Sequence, residues 1–264
     1  MVKAKEKELL EEISYLEMQE ASLVGGIYDL SLFDENILCE DSDIILRKAI
    51  NDDREAYYQL KKEYAYMKSA FVKPEFKDEL WQEYLYGENL YYTIAGKESG
   101  IFIGYCGVKN LNRKIWEIAI EIRSDYCHQG YGYSALKMYL ETVAKISGRY
   151  EFASRVDTDN IASQNLMEKL GFQPYGLSEF LLYREEDKLE AEEYKDKLDD
   201  RYMALAEKFN VKPEKLLSHV LEYRIVLALY LQGKNSRRKV SRSIYSEWSV
   251  SILPDRKKGS SVMK

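Results

Sequence analysis

Two carboxylates, Glu117 and Glu121, stand four residues apart in the run Ile115 to Ile122. In this run Ile118, Ile120 and Ile122 alternate with Glu117, Ala119 and Glu121. Residues two apart share one face of an extended strand, so both carboxylates project from the same side. A carboxylate placed in this way can take a proton from a nucleophile, directly or through water. The same pattern also fits two solvated acids on a half-exposed strand. Directly downstream, Asp125-Tyr126-Cys127-His128-Gln129-Gly130-Tyr131-Gly132 leads into an apolar-periodic segment. Two glycines at a strand-to-helix junction let the backbone approach a ligand closely. The first N–H groups of the helix have no partner inside it, and the helix dipole adds positive potential there. A pyrophosphate is the natural guest, held by main-chain donors with little help from basic side chains. Taken alone, Gly-Tyr-Gly fits a simple turn equally well. Its spacing is shorter than a dinucleotide-binding fingerprint.

The flanking elements must place these groups. Residues 3–22 carry Leu9, Leu10, Ile13 and Leu16 at helical spacing, and 23–43 read as a connector with Gly25-Gly26 and an acidic stretch. Ile44 to Ala49 reads as a strand. A helix capped by Asp52 or Asp53 and running to about Lys68 follows, and then a second helix over 75–86. Leu90 to Ala95 and Ile101 to Val108, separated by Gly96 and Gly100, predict a hairpin. After the Ile115 to Ile122 strand comes a helix from about Tyr133 to Ile146, with Leu136, Tyr139, Leu140 and Val143 on one face. Tyr150 to Val156 is a strand, and Asn160 to Leu170 a helix stopped by Gly171. Phe172 to Tyr175 and Glu179 to Tyr183 predict a final strand pair.

Composition shifts after Arg184. Residues 187–232 predict a helical hairpin. Tyr194, Leu198, Tyr202, Leu205 and Phe209 lie on the first helix. The second starts at Pro213 and carries Leu216, Leu217, Val220, Leu221, Ile225 and Leu229. Residues 233–264 hold nine basic side chains against Glu247 and Asp255, and read as a flexible basic tail. The expected organisation is therefore a helical extension over 1–43, a main domain over 44–186, a hairpin over 187–232 and a tail over 233–264.

The chain of 264 residues is 45% apolar with a formal charge of -6, so no nucleic-acid partner is expected of the whole. Cys39, Cys106 and Cys127, joined only by His128 and His219, form no zinc pattern, and no metal is expected. Neither the charged stretch from Met1 to Glu12 nor the short apolar run Ile225 to Leu231 suggests a secretion signal or a membrane span. A cytoplasmic location is the expectation. Of the 23 tyrosines, Tyr84, Tyr86, Tyr91 and Tyr92 could line a pocket, but half-buried packing is the commoner role.

Two blocks together resemble the GNAT acetyltransferases. Glu-Ile-x-x-Glu-Ile at Glu117 to Ile122 leads into Gly130, Gly132 and Ser134-Ala135-Leu136, as in the family's Gln/Arg-x-x-Gly-x-Gly/Ala motif. Asn160-Ile161-Ala162-Ser163 through Lys169-Leu170-Gly171-Phe172 is similar to its Asn-x-x-Ser…Lys-x-Gly-Phe helix, in the form of the branch acting on ribosomal-protein N-termini. The resemblance covers roughly residues 44–185. It implies an α/β fold: a mixed twisted sheet of six or seven strands with helices on both faces, here with an N-terminal helix and a C-terminal helical hairpin added.

It further implies transfer of an acetyl group from acetyl-CoA to an amine, either a small molecule, a lysine or a peptide N-terminus. Carried over residue by residue, the coenzyme would meet Ile122, Arg123, Cys127, His128, Gln129, Gly130, Tyr131, Gly132, Tyr133, Asn160 and Ser163. A backbone N–H from Glu121 to Arg123 would serve the oxyanion. Glu117 is the family's favoured base, Glu121 the second candidate, and Ser163 the hydroxyl near the thiol. Asn160 and Ser163 equally suit a helix cap and a helix-surface serine. Three positions depart from the pattern: Cys127 replaces Gln or Arg, His128 replaces a small or polar residue, and Met167 replaces the tyrosine that protonates the thiol in several relatives. Those departures support an alternative, a non-catalytic coenzyme-binding or protein-interaction module. A homodimer or a protein partner would dock through the helical extensions.

Overall fold

The computed structural model describes residues 30–227, apart from 66, 67, 180, 181 and 183. The expected helix over 3–22 and the basic tail lie outside the described residues. Alternating apolar and polar residues form strands that join in one eight-stranded sheet. The strands are β1 (Ile37–Glu40), β2 (Ile44–Arg47), β3 (Asn89–Gly96), β4 (Phe102–Lys109), β5 (Trp116–Ile122), β6 (Glu151–Val156), β7 (Gln173–Ser178) and β8 (Val220–Val226). Their order across the sheet is β1-β2-β3-β4-β5-β6-β8-β7. Every pair is antiparallel except β5 and β6.

Helices cover both faces, as the mixed α/β expectation requires. Against one face lies α3 (Tyr131–Ser147), with Ala135, Leu136, Tyr139, Leu140, Val143 and Ala144 buried in the main core beside Ile118, Trp116 and Phe152. Gly148 ends it in the left-handed region at φ 72. Against the other face pack α1 (Arg54–Tyr64) and α2 (Pro74–Tyr86). They enclose a second core of Tyr57, Tyr58, Leu60, Trp81, Tyr84, Phe102 and Tyr105. Tyr57 stacks on Tyr84 at 4.4 Å between ring centres, a geometry that adds to area burial. Tyr84 and Tyr91 therefore serve packing, and Asp53, Thr93 and Arg47 satisfy the polar groups beneath them.

Three expectations change. The connector over 23–43 contains a strand, β1, which extends the sheet at its first edge. The sheet has eight strands, where the resemblance implied six or seven. The largest change is at the C-terminal end. The first helix of the expected hairpin is present as α6 (Asp200–Phe209), preceded by α5 (Glu185–Glu193). In place of the second helix stand a 3-10 turn, Pro213–Leu217, and strand β8.

The spacing of Leu217, Leu221 and Ile225 mimics a helix. Yet Leu221, Tyr223 and Ile225 also alternate with Glu222 and Arg224, and the slot between β6 and β7 offers both sets of hydrogen bonds. The expected partner of Phe172 to Tyr175, Glu179 to Tyr183, lies largely outside the described residues. Among the described residues β7 pairs with β8, more than forty residues downstream. The division at 186/187 accordingly cuts through the sheet, because β8 pairs with both β6 and β7.

Candidate functional site

The parallel pair β5 and β6 is joined only at Trp116 with Phe152 and Glu117 with Ala153. Beyond that point the strands separate, and a cleft of about 770 Å³ opens between them. One wall is the loop and helix start after β5, with Ile122, Tyr126, Cys127, His128, Gly130, Tyr131, Gly132 and Tyr133. It continues into α4 (Ile161–Lys169), with Asn160, Ser163, Asn165, Leu166, Met167 and Lys169. The opposite side carries Tyr64, Lys109, Glu121, Arg155 and Asp157.

Local backbone geometry shapes the first wall. His128 and Gly130 both take left-handed conformations, at φ 60 and φ 90, and Gly130 sits at the N-cap of α3. Right- and left-handed residues in alternation turn successive N–H groups into an anion-binding concavity. Gly132 follows with no room to spare: a Cβ there would lie 3.2 Å from Ile122 Cδ1 and 3.5 Å from Leu166 Cδ2. Helix start and strand end are thus in close contact. Gln129 faces away and donates to the Asp125 carbonyl at 2.7 Å, bracing the loop from outside. Cys127 Sγ lies 3.8 Å from Tyr64 Oη and 3.6 Å from the Arg123 carbonyl.

Not every expected residue reaches the cleft. Arg123 and Gln129 stand outside its lining. The Arg123 guanidinium instead donates to the Phe102 carbonyl and pairs with Asp125. Its backbone N–H donates to Ile103 of β4 at 2.9 Å. Since N–H groups alternate along a strand, the Ile122 N–H turns to the opposite edge, toward the gap. Of the three amides expected for the oxyanion, Ile122 supplies the one on that edge. The Ile122 carbonyl accepts from Tyr64 Oη at 2.9 Å. Asn160 caps α4, accepting from the Ser163 N–H at 3.0 Å. Ser163 is half-buried on the cleft wall, and Met167 is buried in the core behind it.

The two carboxylates part company. Glu117 is outside the cleft lining, its side chain 2% exposed, and three cations hold it. Lys109 lies at 2.6 Å, Arg155 at 2.9 Å and Arg113 at 3.2 Å. Burial alone pushes its carboxyl up, but Arg155 and Lys109 outweigh burial and hold it below the ordinary carboxylate value. Glu121 lines the cleft, with a side chain 27% exposed. Its Oε1 accepts from Lys61 at 2.6 Å and from Tyr105 Oη at 2.8 Å.

Tyr64, Lys109, Arg155 and Asp157 were not anticipated at the cleft. Tyr64 comes from α1 and Lys109 from the end of β4, both outside the two motifs. Lys169 was quoted in the second block without a role. Its ammonium lies 4.6 Å from the Tyr133 ring centre, at the mouth of the same wall. Among the described residues no cluster of metal-binding side chains occurs, and no helix is long and apolar enough to cross a membrane.

A strand edge freed where β5 and β6 part thus stands beside a glycine-built helix start. Residues 43–173 match the family described as acetyltransferase (GNAT) domain. The chain carries a GNAT domain. Its fold is similar to that of RimL, a ribosomal L7/L12 alpha-N-protein acetyltransferase solved in complex with coenzyme A. That match has 14% identity and a TM-score of 0.50, and covers 72% of this chain and 98% of the other. It is similar as well to a spermidine N-acetyltransferase SpeG chimera from Vibrio cholerae and hSSAT, at 17% identity and a TM-score of 0.50, covering 72% and 99%. At such identities the likeness concerns the fold. No curated protein sequence matches the chain.

Proposed function

We propose that this GNAT-domain protein transfers an acetyl group from acetyl-CoA to an amine acceptor by direct attack on the thioester. The observation that carries this reading is the junction of the Gly130–Gly132 helix start with the splayed end of β5. It sets an anion cradle next to an unpaired strand edge in one cleft. The diphosphate of the coenzyme would rest on the amides of His128 to Tyr133, with Lys169 near the mouth. The pantetheine arm would follow the gap between β5 and β6, where it can add hydrogen bonds to the free edge of β5. That path brings the thioester carbonyl to the Ile122 N–H, a donor suited to the developing oxyanion.

The acceptor would enter from the side lined by Tyr64, Lys109, Glu121 and Arg155. Once neutral, its nitrogen attacks the carbonyl carbon, the C–N bond forms and the C–S bond breaks. Met167 cannot protonate the departing sulfur. A thiolate with an ordinary thiol pKa of about 8.5 leaves without strong assistance, and the Ser163 hydroxyl is on the adjacent wall. The acceptor class, small amine or peptide N-terminus, follows from resemblance to the family.

Calorimetry with acetyl-CoA tests the cradle: binding in the micromolar range is expected, and absence of heat refutes the reading. Release of free CoA thiol across a panel of polyamines, lysine peptides and peptides with free α-amino groups tests the transfer. The replacement of the usual tyrosine by Met167 and of Gln or Arg by Cys127 favours a second reading, a coenzyme-binding module without catalysis. Tight binding with no CoA release across the panel would decide for it.

A further inference from the structure

Acetyl transfer to an amine requires a group that takes a proton from the acceptor's ammonium, and the two carboxylates of β5 differ sharply in fitness for it. Both oxygens of Glu117 are engaged: Oε1 by Lys109 and Arg155, Oε2 by Arg113. A proton delivered there would dismantle three ion pairs at a position that does not line the cleft. Glu121 lines the cleft, and its two oxygens are used unequally. Oε1 takes both Lys61 and Tyr105. Oε2 is closed off from solvent and meets no donor. A buried acceptor left unpaired costs free energy, so this carboxylate keeps hydrogen-bonding capacity that Glu117 has already used.

We propose that Glu121, and not Glu117, accepts the proton of the acceptor's ammonium, with Lys61 and Tyr105 as its positioning residues. This assignment rests on the acyl-transfer reading. Its geometry follows from the strand. The Glu121 side chain projects from the face of β5 toward α1, while the next residue, Ile122, turns its N–H to the edge along the gap. An amine held at Glu121 therefore faces a thioester carbonyl held at Ile122 from the adjoining direction. The ammonium brings three N–H donors to the Glu121 carboxylate.

Lys61 fixes this carboxylate from α1 and Tyr105 from β4, and the two are themselves 3.3 Å apart. The other titratable groups near it are Tyr57 and Tyr64 of α1, Tyr91 of β3, and Glu117 on its own strand. Burial pushes Tyr57, Tyr64, Tyr91 and Tyr105 above the ordinary phenol value, with Glu121's charge adding to it. They remain neutral hydroxyls, and Lys61 is the cation in contact with the carboxylate. In the balanced step, R–NH₃⁺ gives one proton to the Glu121 carboxylate, which later passes it to solvent. The neutral amine adds to the carbonyl carbon, the thiolate leaves, and a second proton lost from nitrogen ends on sulfur.

The test measures kcat/KM against pH for parent and variants, with spermidine and with a hexapeptide bearing a free α-amino group, reading free CoA thiol. Acetyl-CoA affinity is measured in parallel by calorimetry. Glu121→Gln is expected to lower kcat/KM at pH 7 by roughly 100-fold or more. The deficit should narrow as pH approaches the amine's own pKa, about 8 for an α-amino group and about 10 for an alkylamine. Acetyl-CoA affinity should stay unchanged. Lys61→Met is expected to lower kcat, with Lys61→Arg restoring part of it and acetyl-CoA affinity unchanged, because the carboxylate loses the cation that positions it. A merely structural role would lower the rate equally at every pH or weaken coenzyme binding. Glu121→Gln with the parent's profile, or with a pH-independent loss, overturns the assignment while leaving acyl transfer standing. A parent that binds acetyl-CoA but releases no CoA with either acceptor overturns both.

Discussion

The two walls of the cleft are built from different materials. The wall after β5 relies on main chain: left-handed turns at His128 and Gly130, a helix start, and a glycine where a Cβ would already crowd Ile122. The facing side relies on side chains from four elements, Tyr64 of α1, Lys109 of β4, Glu121 of β5 and Arg155 of β6, and behind it Glu117 and Glu121 are each tied to cations of other elements. An anion can be held by amides that any sequence possesses, so glycines and a helix start suffice to mark such a wall. A working carboxylate depends on who surrounds it. Two glutamates on one face of one strand are held differently because β6 pairs beside the first and has left the second.

The largest effect expected on this contrast is that of Gly132→Glu. Its side chain would have to enter the space against Ile122 and Leu166 and bring a negative charge into an anion cradle. Loss of acetyl-CoA binding in calorimetry, with the fold retained by circular dichroism, is the expected outcome. Unchanged affinity would refute the main-chain wall.

Next comes Leu221→Ala. Leu221 is wholly buried on β8, between Val156 of β6 and Leu177 of β7. Truncation should cost about 3 kcal/mol in urea unfolding. A loss below about 1 kcal/mol would fit a peripheral helix and would contradict the role of β8 in supporting the strand that forms one side of the gap.

Glu117→Gln should cost about 2–3 kcal/mol, near the lower end for a broken buried pair because its cations are partly wet. Its pH dependence follows from the lowered carboxyl. A depressed native value contributes stability that is complete above the unfolded value, about 4.3, and fades as pH falls through the native one. The difference in Tm between parent and Glu117→Gln should therefore be full at pH 7 and close progressively in acid below pH 4. A gap that widens toward acid would show that the cations do not govern this site.

The smallest effect is that of Asn160→Ala. Removing the cap bond to the Ser163 N–H should cost about 1 kcal/mol of stability. Hydrogen exchange at the first turn of α4, read with and without acetyl-CoA, would show whether the coenzyme restores its order.

Much of the region from 44 to 178 was legible in the sequence. The hairpin of β3 and β4, the Glu-Ile strand, the helix after Gly132 and the Asn160 cap each rest on short-range spacing or on a single turn residue. Period two, period 3.6 and left-handed glycines act within a few residues, and those rules fix an element before any neighbour arrives. The same locality explains the misreading of Val220–Val226. Its residues satisfy both periods, and only the open edges of β6 and β7 select the extended one.

By itself the sequence determined the order of the elements from β2 to α4, the anion-seeking turn at Gly130 and the face shared by Glu117 and Glu121. Tertiary structure decided what those groups do. It brought Lys109, Arg113 and Arg155 around Glu117, set Lys61 and Tyr105 on Glu121, turned Arg123 away from the cleft and placed β8 between β6 and β7. Such outcomes depend on contacts between different elements, from Arg113 four residues before Glu117 to Lys61 sixty before Glu121. Charge neutralisation and strand pairing are set by distance in space, and local spacing holds no record of it.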